Sequence, residues 1–129
     1  MLVAGLVLAG VAALVHVYIF FLESVAWTGD RARRTFGIES VEDAETMRPL
    51  AFNQGFYNLF LAIAVVLGIM LWVAGQHTAG ITLVLTGAGS MAAAALVLLL
   101  SSPDKAQAAL KQGIVPLAAV ITVVVGLVL

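Results

Sequence analysis

The sequence contains no cysteine, and only 10% of its residues are charged, against roughly a quarter in an ordinary soluble domain. The missing cysteine excludes a disulfide frame, a thiolate metal site and a cysteine nucleophile. Scarce charge beside 63% apolar residues excludes an ordinary soluble protein. Six basic residues balance seven acidic ones, so there is no basic stripe of the kind that nucleic-acid binding needs. Phosphate-cradling loops, Gly-rich dinucleotide turns and Ser/His/Asp sets are also missing, which excludes the standard kinase and hydrolase chemistries. No cofactor is expected. One membrane acid and two distant histidines lack the spacing of a zinc site, so no metal is expected either.

What the chain does contain is four long apolar stretches, at 2–27, 49–74, 79–100 and 108–129, each long enough to cross a bilayer as a helix. They consume most of its 129 residues, so one all-α, polytopic membrane domain is expected, a four-helix bundle whose first surrounding is the lipid bilayer. The first stretch is too long for a signal-peptide core and has no basic residues ahead of it, so it reads as a retained helix. Pro49 suits the first turn of the second helix, because its missing N–H would be unsatisfied there anyway. Gly75-Gln76-His77-Thr78 makes helices two and three a hairpin, and Pro116 is a candidate kink in the fourth. His77, in the hairpin link, has no obvious partner.

All the Lys and Arg residues lie in two connections: Arg31, Arg33, Arg34 and Arg48 in the first, Lys105 and Lys111 around the third. By the positive-inside rule the connections 28–48 and 101–107 face the cytoplasm and both termini lie outside. So one-sided a distribution argues against dual insertion and an antiparallel dimer; a parallel homodimer or a larger membrane complex remains open. In the first connection Ser40 reads as the N-cap of a short helix, with Asp43 at the third position after it, lying along the membrane surface or forming a solvated loop.

A charge at membrane depth costs several kcal/mol, so the polar residues inside the spans are the functional clues. His16 and Glu23 are two helical turns apart on one face, with Trp27 one turn beyond. Counting from Trp27, Glu23 lies about one turn below the cytoplasmic interface and His16 roughly 16 Å deep. The second helix brings Asn53, Gln54, Tyr57 and Asn58 within two turns, with Phe56 among them and Gly55 to admit another backbone. Gln112 and Gly113 lie at a similar depth on the fourth helix. These residues fall in one layer, so they are expected to converge on one polar pocket, with His16 as its floor and Trp27 and Phe56 as apolar or cation-stacking walls.

Glu23 admits two readings: an interfacial carboxylate reaching Arg31, Arg34 or Arg48, or a buried acid suited to exchanging a proton near neutral pH. The amides likewise serve either as a ligand site or as interhelical glue. Thr82, Thr86 and Ser90, at four-residue steps, read as packing.

Together, His16-Val-Tyr18-Ile-Phe-Phe-Leu-Glu23, Trp27, Arg33-Arg34-Thr-Phe36-Gly37, Asn53-Gln54-Gly55-Phe56-Tyr57-Asn58 and Gln112-Gly113-Ile-Val-Pro116 resemble the small bacterial membrane proteins of domain-of-unknown-function family thirteen hundred and four. The resemblance implies a four-helix inner-membrane protein and groups the His/Glu and Asn-Gln-Gly-x-Tyr-Asn elements as the family's motifs; it implies no activity. The functional expectation is a pocket for a small lipophilic molecule, opening to the cytoplasmic leaflet, with Glu23 as proton donor or acceptor, His16 as a second acid/base or orienting group, or else as a satisfied structural donor, and Asn53, Gln54, Tyr57, Asn58 and Gln112 as polar contacts. Proton transfer, such as a double-bond shift in an isoprenoid-like or sterol-like substrate, is the compatible reaction. The alternatives are a proton-coupled exporter that uses Glu23 and an accessory subunit of a larger complex.

Overall fold

The computed structural model describes residues 1–129 and contains five α-helices and no strand. They are α1 (Leu2–Phe20), α2 (Asp30–Phe36), α3 (Val41–Val73), α4 (His77–Ser101) and α5 (Ala106–Val128). α1 runs on into a π-helical turn, Phe21–Val25, closed by the Ala26 N–H on the Phe21 carbonyl, and α5 is entered through a 3-10 turn at Pro103–Lys105. Four helices are long and apolar enough to cross a membrane: α1 with its π turn, α3, α4, and α5 with its 3-10 turn.

The four long helices close a ring in which α1 packs on α3 and α5, and α4 packs on α3 and α5. α2 and the α4–α5 connection lie at one end, which carries the Lys and Arg residues; the termini and the α3–α4 link lie at the other. Only 31 of 129 residues are buried although 63% are apolar, so most apolar side chains point outward, as a lipid solvent allows. With lipid outside, the hydrophobic effect does not drive the helices together, and close packing must. The interior is accordingly built of small residues, Ala9, Ala12, Ala13, Ala62, Ala88 and Ala119 among them. Where α3 meets α4, a methyl group on Gly68 would lie 2.7 Å from the Gly80 carbonyl, so the backbones touch directly.

Two boundaries differ from the sequence reading. The second span does not begin at Pro49: the helix capped at Ser40 and the span are one continuous helix of 33 residues, with Pro49 inside it. Pro49 and Glu45, whose carbonyl it deprives of a donor, are both exposed near the helix start, where the freed carbonyl is not trapped in a core. The cap itself forms, since Ser40 Oγ accepts the Asp43 N–H (3.0 Å) and donates to Asp43 Oδ2 (2.7 Å). The first connection also holds a helix that the pattern did not announce. α2 has Asp30 in its first turn, Arg33 and Arg34 in its last, and Gly37 beyond it at φ 68°. A small second core of Leu22, Trp27, Ala32, Ile38, Ala44 and Ala51 seats α2 on the end of the bundle.

Candidate functional site

At the basic end all four long helices contribute to one cavity of about 270 Å3 on the bundle axis. Glu23 comes from the π turn of α1, Met47 and Gln54 from α3, Ala94 and Leu98 from α4, and Ala108 and Gln112 from α5. Trp27, Phe36, Ile38 and Lys105 complete the lining from the connections.

Glu23 is 8% exposed and makes no ion pair, because the chain's two ion pairs join Arg33 to Asp30 and Arg48 to Glu45. Its partner is Asn58, which donates from Nδ2 to Glu23 Oε2 at 2.7 Å and to the Gln54 carbonyl at 3.3 Å. The interfacial reading of Glu23, reaching for Arg31, Arg34 or Arg48, is therefore not the arrangement in this structure. Arg31 instead donates to the Tyr18 hydroxyl. Gly55 lets the π turn come this close to α3: a methyl group there would meet Ser24 Oγ and Glu23 Cβ. Ser24 Oγ uses the proximity to donate to the Phe52 carbonyl at 2.8 Å.

The roof is held by two side-chain bonds to backbone carbonyls. Trp27 is buried and donates Nε1–H to the Ala44 carbonyl at 2.8 Å, while its ring lies 5.4 Å from that of Phe36. Lys105 donates from Nζ to the Phe36 carbonyl at 2.9 Å, placing a cation at the C-terminus of α2 where the helix dipole favours one.

Of the sequence-selected residues, Glu23, Trp27, Gln54 and Gln112 line the cavity, and Asn58 is buried behind Glu23. Asn53 and Tyr57 are exposed on the outer face of α3, and neither lines the cavity. The helix explains the division: Ala51, Gly55 and Asn58 form the buried stripe, Gln54 is exposed at its edge and borders the cavity, and Asn53 and Tyr57 lie further round. Phe56 is half-buried in an aromatic cluster with Phe20, Phe52 and Phe60 and forms no wall of the cavity. His16 is not the floor either; it is buried one layer further from the basic end and donates Nδ1–H to the Ala12 carbonyl (2.9 Å). His77 does have a neighbour, since its ring packs edge-on against Trp72 at 5.3 Å.

Lys105, Phe36, Ile38 and Met47 also line the cavity and carry no site signal in the sequence. Lys105 reads there only as a topology charge, and nothing in the pattern shows that α2 packs on the end of the bundle. An apolar cavity of about 150 Å3 takes up a benzene molecule, so about 270 Å3 corresponds to on the order of ten non-hydrogen atoms. A larger opening of about 510 Å3 lies at the opposite end, between Leu2, Trp72, His77, Thr78, Thr82 and Leu127, and it contains no acid.

No curated protein and no solved structure matches the chain. A family model described as a protein of unknown function matches residues 10–124, a span that includes Glu23, Trp27, the Asn53–Asn58 stretch, Lys105 and Gln112. With nearly the whole bundle and the cavity inside that match, the chain belongs to the DUF1304 family.

Proposed function

We propose that the protein binds a small lipophilic molecule in the axial cavity, from the cytoplasmic side of an inner membrane, and exchanges a proton with it through Glu23. The observation that carries this reading is an acid at the meeting point of all four spans, without an ion-pair partner and with one carboxylate oxygen left over from its bond to Asn58. Desolvated acids in largely apolar cavities are the usual seats of acid–base chemistry. Asn58 orients the carboxylate, Gln54 and Gln112 offer amides, and Trp27 with Phe36 supplies the apolar wall. The cytoplasmic side is read from the Lys and Arg residues around the cavity end, in keeping with the positive-inside rule.

Native mass spectrometry of the protein extracted from its own membrane, wild type against Glu23→Gln, tests the reading. The expected result is a retained small molecule that is lost from the variant. A bare protein in both samples refutes it. A stoichiometric protein partner in mild detergent, unaffected by the substitution, marks an accessory subunit instead.

A second reading is proton-coupled export, favoured by the opening of about 510 Å3 at the other end of the same bundle. Release of a proton when benzyltrimethylammonium is added to weakly buffered purified protein, without conversion of the compound, would select it.

A further inference from the structure

The cavity lining carries hydrogen-bonding capacity that the chain itself does not use. Glu23 has one carboxylate oxygen bonded to Asn58 and the other without a protein partner. Neither the Gln54 nor the Gln112 side chain is bonded within the chain, and Lys105 commits one of its three N–H groups, to the Phe36 carbonyl. Trp27 is different: its only donor is spent on Ala44, so it meets an occupant with ring surface alone.

These groups are unevenly placed. Glu23 and Gln112 come from within the spans, while Lys105 sits at the roof, where α2 meets the start of α5. Much of the remaining lining is apolar, with Trp27, Phe36, Ile38 and Leu98. An acid at the inner end, a cation at the roof and apolar surface around them describe an occupant of the opposite pattern. A wholly apolar molecule would leave several partly desolvated groups unpaired, at roughly tenfold in affinity for each.

Resting on the reading of the cavity as a ligand site, we infer that its occupant is a compact molecule of about ten non-hydrogen atoms, with an anionic group at the Lys105 end and an O–H or N–H donor at the Glu23 end. Long-chain lipids and sterols fall outside this class.

The test uses Trp27 as the reporter. Trp72→Phe removes the other indole, which lies at the far end of the bundle beside His77. In that background, in lipid nanodiscs, Trp27 emission is followed during titration with 4-hydroxybenzoate, benzoate, 4-hydroxybenzyl alcohol and dodecanoate. 4-Hydroxybenzoate has both end groups and the right size. It is expected to bind tightest, with benzoate and the neutral alcohol each roughly tenfold weaker. Lys105→Gln keeps an N–H for the Phe36 carbonyl and removes the charge, so it should abolish the preference for 4-hydroxybenzoate over the alcohol without unseating the roof.

Tighter binding of dodecanoate or of the neutral alcohol overturns the inference, as does a preference that Lys105→Gln leaves unchanged. If none of the four probes moves Trp27 while native mass spectrometry shows a molecule retained through Glu23, the ligand class is wrong and the site stands. If neither experiment shows an occupant, both fall.

Discussion

Replacing Gly55 by alanine tests whether the closeness of the π turn to α3 is what holds Glu23 in place. The new methyl group would overlap Ser24 Oγ and stand 3.1 Å from Glu23 Cβ, so Ser24 must move and its 2.8 Å bond to the Phe52 carbonyl breaks. Overpacking costs about 1–3 kcal/mol and the lost hydrogen bond about 1, while alanine's higher helix propensity returns about 1. The net expectation is a loss of about 1–3 kcal/mol, read from equilibrium unfolding in mixed micelles by circular dichroism. Ser24→Ala removes the oxygen that clashes, leaving contacts of 3.1 Å that a shift of a few tenths of an ångström relieves. The double variant should therefore be no less stable than Ser24→Ala alone, a coupling of about 1–3 kcal/mol. A Gly55→Ala protein as stable as wild type, or two losses that simply add, would refute the close-approach argument.

Asn58→Ala leaves the Glu23 carboxyl without its donor and should cost about 1–3 kcal/mol in the same assay; in a Glu23→Ala background the cost should drop below about 1 kcal/mol. Trp27→Phe keeps a ring in the roof but gives up the bond to the Ala44 carbonyl, so amide hydrogen exchange over residues 30–44 should speed up, with a loss of about 1 kcal/mol. Ser40→Ala removes the cap on α3 and should cost about 1 kcal/mol, visible as faster exchange at Asp43 and its neighbours. Because the chain has no cysteine, Glu39→Cys creates a unique thiol; it should resist a membrane-impermeant maleimide in intact cells and label after lysis, which an inverted topology would reverse.

The spans were legible in the sequence because a bilayer demands uninterrupted apolar length, and Ser40 was legible as a cap because its role is local. Which face of each span turns inward was much harder to see. Inside a lipid-facing bundle the outward residues are as apolar as the inward ones, so periodicity carries little phase information. That is why Asn53, Tyr57 and Phe56 group with Gln54 and Asn58 in the sequence, although only Asn58 is buried against Glu23 and only Gln54 lines the cavity. Pro49 misled for a different reason: a proline at a helix start and a proline two turns inside an exposed helix look alike until the backbone upstream is known to be helical. No residue in Phe21–Val25 announces a π turn, and Lys105 acquires its place in the site only through the tertiary contact that brings Phe36 to it.

The 33-residue length of α3 has a consequence for the roof of the cavity. At 1.5 Å per residue the helix is about 50 Å long, whereas the hydrocarbon layer is about 30 Å thick. A surplus of some 20 Å has to emerge, and its first turns carry Ala44 and Met47, the first bonded by the Trp27 indole and the second part of the cavity lining. The roof is thereby mounted on a rigid mast that stands clear of the lipid tails, and the thickness of the surrounding bilayer sets how high it stands.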